Sequence, residues 1–154
     1  MRYIDHILQP GERLLYCGKL HWVVYTPALI AFALAVVTLA LSGHPAVSAI
    51  QLSWLLVSLA FVVAGAVLAF SAWFRRWTTE IDVTDRRVVY KRGFVNRHTV
   101  EMNMDKVESV DVDQSIMGRL LDYGDITVRG TGETWEILRG VGRPLDFRNH
   151  VTAR

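Results

Sequence analysis

A chain of 154 residues, of which 51% are hydrophobic, has room for one ordinary domain or for a smaller domain together with a membrane segment. Its net charge of +2 is too small, and the charge signs along its second half too mixed, to indicate nucleic acid as a partner. The single cysteine, Cys17, excludes an internal disulfide and a CxxC metal or redox pair, and leaves an apolar filler or a lipidation site as its role.

The charged residues are unevenly distributed along the chain. No Lys, Arg, Asp or Glu occurs from Trp22 to Phe74, whereas residues 75–154 carry 14 basic and 13 acidic side chains. Within the uncharged region, the segments 22–42 and 52–74 each supply roughly 20 apolar residues, enough at about 1.5 Å per residue to cross a hydrocarbon core of about 30 Å. The sequence therefore predicts a transmembrane helical hairpin over this region.

A signal peptide or a buried soluble hairpin fits the uncharged region less well. A cleaved signal peptide has a shorter apolar core, and it is not expected to follow a lead of 21 residues or to precede a second apolar segment. A buried hairpin of a soluble protein rarely extends over 53 residues without a charge. The loop between the segments contains the helix breakers Gly43 and Pro45, and His44 beside them is interpreted as a solvated loop residue rather than a metal ligand.

The residues that flank the two spans predict their orientation. The Lys and Arg residues that flank the spans are Arg2, Arg13 and Lys19 before the first span and Arg75 and Arg76 after the second, and the loop between the spans has none. Because positive residues favour the cytoplasmic side, residues 1–21 are predicted to form a cytoplasmic lead, as a strand or an interfacial segment, and residues 75–154 a cytoplasmic domain. Four aromatic residues near the same boundary are predicted membrane-interface anchors: Trp22, Tyr25, Trp73 and Trp77.

After the second span the hydrophobic period changes to two, which indicates strands. Six short strands are predicted, with the sequences WTTEIDVT, RVVYKR, NRHTVEMNM, VESVDV, DITVR and TWEILR. In the first strand, Trp77, Thr79, Ile81 and Val83 are expected to face inward and the alternate residues outward. In the last two strands the expected inward residues are Ile126, Val128, Trp135 and Ile137. Short strands joined by brief turns predict an antiparallel sandwich or barrel.

The C-terminal stretch is predicted to be a short helix that caps one end of this sandwich. Pro144 stands at a suitable first helical position, and Leu145, Phe147 and Val151 would form the apolar face of the helix.

The glycine-rich stretch 112–132, VDQSIMGRLLDYGDITVRGTG, raises the question of a phosphate-binding loop. It fits neither G-x-G-x-x-G nor the P-loop pattern, since no lysine follows Lys106. We instead predict that a strand ends at Gln114 and Ser115, that residues 116–121 form a turn or a single helical turn, and that the glycines serve to turn the backbone.

In their order and spacing these pieces resemble the bacterial pleckstrin-homology-like (bacterial PH domain) family of small two-helix membrane proteins. The matching pieces are LQPGERLLYCGKLHW at residues 8–22, the strand pair EIDVTDRRVVYKRGFVNRHTVEMNMDKVESVDV, and QSIMGRLLDYGDITVRGTG. The resemblance implies an α+β membrane protein of the bacterial inner membrane, with a transmembrane hairpin followed by an antiparallel PH-like β-sandwich or barrel and a short capping helix. It brings no catalytic residues to this chain.

The first functional hypothesis is a non-catalytic, membrane-tethered interaction module. It would bind a protein partner or assemble into a homo-oligomer at the cytoplasmic face, or serve as an accessory subunit beside another membrane protein. The hypothesis depends on the lack of a catalytic motif in the sequence and on the backbone that sheet edges expose. No cofactor, metal ion, nucleic acid or small-molecule substrate is expected.

The alternative is recognition of anionic lipid headgroups by a juxtamembrane basic surface. The resemblance supports it, since eukaryotic relatives that bind phosphoinositides use a basic cluster around the first hairpin. The candidate lipid contacts are Arg75, Arg76, Arg86, Arg87, Lys91, Arg92 and Arg97. Membrane topology explains Arg75 and Arg76 equally well, and the others fit solvated strand ends.

An enzyme is the third and weakest hypothesis. A carboxylate cluster for Ca²⁺ would need Asp111, Asp113, Asp122 and Asp125, but the EF-hand order stops after D-x-D. A solvated acidic edge is therefore the preferred interpretation, and Tyr123 and Trp135 are interpreted as core aromatics rather than a ligand platform.

Overall fold

A computed structural model describes the chain at residues 4–42, 48–93, 98–131, 133–134 and 138–152. The chain divides into two compact units: a β-unit of Met1–His21 with Arg75–Arg154, and a helical unit of Trp22–Phe74. In chain order the elements are α1 (Ile4–Ile7), β1 (Leu14–Gly18), α2 (Thr26–Ser42), α3 (Ser48–Thr78), β2 (Glu80–Thr84), β3 (Arg87–Arg92), β4 (His98–Asn103), β5 (Val107–Asp113), α4 (Ile116–Leu121), β6 (Tyr123–Gly130), β7 (Glu133–Thr134), β8 (Leu138–Gly142) and α5 (Pro144–Thr152), with 3-10 turns at Trp22–Tyr25 and Met104–Lys106.

The helical unit contains the two predicted apolar helices. A 3-10 turn and α2 together cover residues 22–42, and Pro27 stands in the first turn of α2, where its missing N–H costs least. Helix α3 is longer than the predicted segment 52–74, and at about 1.5 Å per residue its 31 residues span about 46 Å. The extra length at its C-terminal end includes Trp77, which was expected in a strand.

Small side chains fill the contact between α2 and α3. Helix α2 buries Ala28, Ala31, Ala35 and Thr38, and α3 buries Ser58, Gly65 and Ala72 at intervals of seven residues. The Ser58 hydroxyl donates a hydrogen bond to the Ala35 carbonyl at 3.0 Å, and a Cβ atom on Gly65 would lie 2.9 Å from the Phe32 ring. Small residues at these positions let the two helices approach closely.

The outward faces of both helices are apolar. Large side chains that are at least 59% exposed include Val36, Val67, Phe70, Leu52 and Leu59. Only 22% and 17% of the apolar windows of the two helices are buried, whereas the core helix of a soluble protein is mostly buried. By length and composition both helices could span a membrane.

The β-unit contains two antiparallel sheets, as predicted. The first has the strand order β1-β2-β3-β4, and the second has the order β5-β6-β7 with β8 also paired to β6. One hydrophobic core is shared by both sheets and α5, and its members include Tyr16, Ile81, Val83, Val88, Tyr90, Met102, Ile126, Val128, Leu138, Val141, Phe147 and Val151. The predicted inward positions Ile81, Val83, Ile126 and Val128 are all fully buried.

The predicted half-buried first strand is wrong in two respects. Trp77 lies in the last turn of α3 and is 60% exposed, so the strand begins only at Glu80. The opposite face of β2 is also covered, because Asp82 and Thr84 are buried. The Cys17 thiol donates to Asp82 Oδ1 at 2.7 Å, and the Thr84 hydroxyl donates to Glu12 at 2.7 Å. The N-terminal lead therefore supplies a polar partner to each of these two β2 side chains.

Within the N-terminal lead, residues Leu14–Gly18 form the strand β1. Strand β1 pairs with β2 in antiparallel register, with Tyr16 opposite Val83 and Gly18 opposite Ile81. A bulge between Leu14 and Tyr16 interrupts the register. Residues on both sides of the helical unit therefore build one sheet.

The stretch between β5 and β6 contains helix α4, in agreement with the predicted helical turn. The prediction that the glycines turn the backbone is wrong for Gly118 and Gly124, since the left-handed residue between α4 and β6 is Asp122, with φ 57°. It is right for Gly130, which ends β6 at the hairpin turn to β7, and Gly132 lies outside the described residues. Gly118 and Gly124 instead allow neighbouring backbone to pack closely against them. An added Cβ atom would lie 2.6 Å from the Tyr123 carbonyl oxygen at Gly118 and 2.7 Å from the Asp113 carbonyl oxygen at Gly124.

The C-terminal helix α5 closes the core, and Phe147 is fully buried. Pro144, Phe147 and Val151 share one face at helical spacing, whereas Leu145 points away and is 43% exposed. The prediction of Leu145 as part of the buried face is therefore wrong. The predicted sixth strand corresponds to β7 and β8, and Trp135 and Ile137 lie outside the described residues.

Candidate functional site

The basic residues of the predicted lipid surface differ in how accessible their side chains are. Arg75 and Arg76, in the last turn of α3, are exposed, and so are Arg86, in the turn between β2 and β3, and Arg92, at the end of β3. The ammonium of Lys91 lies 3.9 Å from the carboxylate of Glu80. Arg97 lies outside the described residues.

Arg87 is held inside the β-unit. Its side chain is 13% exposed, and its guanidinium donates to both carboxylate oxygens of Glu12, at 2.9 and 2.8 Å, and to Glu101 at 2.8 Å. It also donates to the Ile7 carbonyl at 2.7 Å. Through these hydrogen bonds, Arg87 joins the N-terminal lead to β3 and β4. Its side chain is therefore a structural link, and it lacks the exposure that a lipid contact needs.

The charges of this pair are stabilised by each other and by neighbouring hydrogen bonds. Burial acts to raise the pKa of Glu12, but hydrogen bonds from Arg87, from the Gln9 N–H and from Thr84 outweigh it and lower that pKa to about 2. Donation of these hydrogen bonds to Glu12 raises the pKa of Arg87, although burial opposes the change. Both groups are therefore ionised at neutral pH.

The predicted membrane anchors have accessible rings. Trp22 is 46% exposed, Trp73 50% and Trp77 60%, while Tyr25 is half-buried. Trp22 and Tyr25 begin and end the 3-10 turn before α2, and the two other tryptophans lie near the C-terminal end of α3.

Two acidic residues of the β5–β6 pair, Asp111 and Asp125, have partners within the sheet. Asp111 lies 3.2 Å from Arg129 on the neighbouring strand, and Asp125 accepts a hydrogen bond from the Gly140 N–H at 2.8 Å. In the described ranges, no three His, Cys, Asp or Glu side chains converge in a way that could hold a metal ion. The carboxylates of Asp111 and Asp125 thus stabilise contacts between neighbouring strands.

Helix α4 has its large apolar residues on the outside. Ile116 is 88% exposed, Leu120 77% and Met117 60%, whereas the residue that packs inward is Gly118. A surface helix of a soluble domain normally shows the reverse arrangement. We call the exposed residues Ile116, Met117, Leu120 and Leu121 the α4 apolar patch.

The backbone of α4 is held firmly despite its short length. The Ser115 hydroxyl caps its N-terminus by accepting a hydrogen bond from the Gly118 N–H at 3.0 Å. The Gln114 amide donates to the Tyr123 carbonyl at 3.1 Å, and the left-handed Asp122 donates its N–H to the Gly118 carbonyl. These bonds fix the helix against β6, so the α4 apolar patch is presented on a supported helix.

The end of α4 lies beside the point where the chain leaves the β-unit. The His21 ring stacks on the Tyr123 ring, with 5.3 Å between ring centroids and 20° between their planes, and His21 directly precedes the helical unit. Burial, and then the charge of Arg76, lower the pKa of His21, while Asp122 acts in the opposite direction. His21, the last residue of the β-unit before the helical unit, thus lies next to the C-terminal cap of α4.

The sequence interpretation did not predict the α4 apolar patch, because it treated residues 116–121 only as a connection. A signal was present: IMGRLL has four large apolar residues around one glycine, and in so short a helix they cannot all face the core.

A comparison with protein families identifies this chain's family. The family model described as "Bacterial PH domain" matches residues 22–154, which include both apolar helices and all of the second half of the chain. Neither a curated protein nor a solved structure matches the chain.

Proposed function

The chain belongs to the bacterial PH domain family, and from this membership we propose that it is a non-catalytic interaction module tethered to the bacterial inner membrane by α2 and α3. At the cytoplasmic face its β-unit binds a protein partner or further copies of itself, as a homo-oligomer or as an accessory subunit of a membrane complex.

The observation that carries this proposal is the apolar outward surface of α2 and α3. Large side chains such as Val36, Val67 and Phe70 are more than 60% exposed along helices without a charged residue from Trp22 to Phe74. Such a surface is costly in water and favourable in lipid, where the backbone polar groups are satisfied within each helix. Arg75 and Arg76, together with the exposed rings of Trp73 and Trp77, support a cytoplasmic end at the C-terminus of α3.

The edge of the first sheet supports the interaction role. Strand β1 stands at one edge of the order β1-β2-β3-β4, and it exposes Leu14 and Leu15 at 36% and 46%. An edge strand with accessible apolar side chains suits addition of a partner strand or packing against a second copy.

Two measurements test the proposal. The full-length chain should remain in the membrane pellet after an alkaline carbonate wash and should be released only by detergent. Native mass spectrometry after gentle extraction should then give multiples of the 17.4 kDa chain or an added polypeptide. Recovery in the carbonate supernatant contradicts the tether, and a bare monomer contradicts the interaction role.

A second candidate function is recognition of anionic headgroups, and the exposure of Arg86 and Arg92 at the two ends of β3 favours it. The test uses the full-length chain in nanodiscs of mixed phosphatidylcholine and phosphatidylglycerol. Native mass spectrometry should show fewer retained phosphatidylglycerol molecules after the double change Arg86→Glu and Arg92→Glu. Arg139→Glu, an exposed change on β8, is the matched control. Equal retention in all three proteins rules out this function for the pair.

A further inference from the structure

The α4 apolar patch consists of large exposed side chains on a helix that is held firmly against the β-unit. An inward-facing glycine, a Ser115 cap and two Gln114 hydrogen bonds hold the helix so that Ile116, Met117 and Leu120 point outward. A flexible loop could turn such side chains toward the core, but a helix fixed in this way cannot. An exposed apolar patch on a firmly held helix of a small domain indicates an interaction surface for a protein or a membrane.

The apolar surface of the patch continues toward α5. A shallow hollow between α4 and α5 is lined by Val112, Gln114, Arg119, Asp122, Leu145 and Arg148. Leu145 is 43% exposed and adds apolar surface, and Arg119 and Arg148 are both exposed. Asp122 is the acidic residue among those that line the hollow, so the two arginines give this lining a net positive charge. Apolar side chains beside arginines are the composition of a segment that lies in a membrane interface.

The position of the patch along the chain points to the phase that covers it. The His21 ring stacks on Tyr123, next to the C-terminal cap of α4, and His21 and Arg76 stand in the chain where it enters and leaves the helical unit. If α2 and α3 cross a bilayer, the leaflet begins next to these crossings. The nearest apolar phase to the α4 apolar patch is then the acyl and headgroup boundary of that leaflet.

We propose that Ile116, Met117, Leu120 and Leu121 of α4 insert into the headgroup and acyl boundary of the cytoplasmic leaflet, with Arg119 and Arg148 at the level of the anionic phosphates. The inference rests on the proposed membrane tether. It adds a second membrane contact, made by the β-unit itself, which restricts the rotation of the domain about its helices. The other surfaces of the β-unit, including the edge strand β1, then stay available to a partner.

Depth-dependent fluorescence quenching of the full-length chain tests this inference. Single cysteines are placed at Met117, at Glu108 on β5 and at Leu34 on α2, in a Cys17→Ser background, and labelled with an environment-sensitive NBD fluorophore. The proteins are reconstituted into phosphatidylcholine and phosphatidylglycerol vesicles that contain doxyl-labelled lipids. The label at Met117 should emit at shorter wavelength and be quenched several-fold more by shallow doxyl groups than the label at exposed Glu108.

The three positions separate the possible failures. A Leu34 label quenched by deep doxyl groups, together with a water-like Met117 label, overturns the inference and leaves the tether intact. An unquenched Leu34 label overturns the tether and this inference with it. A Met117 label that is shielded without lipid quenching, and more so at high protein-to-lipid ratio, assigns the patch to a second copy and also overturns the inference.

A second variant makes the result specific to the patch. Ile116→Asn with Leu120→Asn changes two side chains that are at least 77% exposed, so the fold should be retained. In this background the quenching at Met117 should fall to the level seen at Glu108. Quenching that is unchanged contradicts insertion through these side chains.

Discussion

The guanidinium of Arg87, on β3, contacts the carboxylate of Glu12, in the N-terminal lead, through two hydrogen bonds of 2.9 and 2.8 Å. The two residues are separated in sequence by the whole helical unit, and the Glu12 side chain is fully buried. This pair joins the segment before the helices to the sheet after them.

Removal of one partner of this pair should destabilise the β-unit strongly. In Arg87→Met the Glu12 carboxylate stays buried without its cation, and we expect a loss of about 3 to 5 kcal/mol in the free energy of unfolding. Urea unfolding of the full-length chain in mild detergent measures it. The double variant Glu12→Gln with Arg87→Met should regain part of the loss, and a double variant no more stable than Arg87→Met would argue against a charge effect.

The same pair predicts a dependence of stability on pH. The pKa of Glu12 is about 2 in the folded chain, against an ordinary value of 4.5, so the carboxylate stabilises the fold above pH 4.5 and loses this effect as the pH falls toward 2. The difference corresponds to about 3 kcal/mol. Thermal unfolding from pH 7 to pH 3 should show this decline, and Glu12→Gln should flatten it. An equally steep decline in Glu12→Gln would assign the effect to other carboxylates.

Gly118 should not tolerate a side chain. A Cβ atom there would lie 2.6 Å from the Tyr123 carbonyl oxygen, which belongs to β6 and cannot move freely. Gly118→Ala should therefore cost about 1 to 3 kcal/mol in the free energy of unfolding. Gly142→Ala is the matched control, because its nearest neighbours lie at 3.6 Å, an ordinary van der Waals contact. Similar stability of the two variants would contradict the close packing of α4.

Phe147 and Leu145 of α5 should differ sharply on truncation. Phe147 is fully buried and its ring packs edge-on to Tyr16 at 6.0 Å, so Phe147→Ala should cost about 3 to 5 kcal/mol. Leu145 is 43% exposed, and Leu145→Ala should stay within about 0.5 kcal/mol of the parent. Chemical denaturation of the two variants checks the difference, and a large loss for Leu145→Ala would place that side chain in the core after all.

Gly65 should be essential to the contact between α2 and α3. A leucine at this position would collide with the Phe32 ring, which already lies 2.9 Å from the place of a Cβ atom. Gly65→Leu should lower the thermal midpoint of the full-length chain in detergent. Ala64→Leu adds a similar volume one residue away on the exposed side and should have little effect. Equal midpoints would show that the helices do not depend on this contact.

Local patterns predicted the elements well. Uncharged length predicted α2 and α3, period-two alternation predicted strands with Ile81 and Val128 inward, and Pro144 marked the start of α5. The errors came from contacts with distant segments. Asp82 and Thr84 look like an outward face until β1 and Glu12 are placed against them, and Arg87 looks like a surface cation until Glu12 and Glu101 surround it.

The candidate site was less predictable than the fold. Arg86 and Arg87 are neighbours with the same chemistry, yet one is exposed and the other is 13% exposed in an ion-pair cluster. The role of Gly118 depends on the Tyr123 carbonyl, which reaches it only after the chain has turned through Asp122. Pattern and propensity describe one segment at a time and carry no information on which distant segment will lie against it.

By itself, the sequence determined the division into an apolar helical region and a mixed-charge β-region, because hydrophobic run length and period depend only on neighbouring residues. Only the tertiary structure decided that the first residues join the β-unit as β1, that Arg87 is structural, and that the apolar residues of α4 face outward on a fixed helix. The physical reason is that burial, ion pairing and close approach are properties of pairs of segments, and the pairing appears only when the chain is folded.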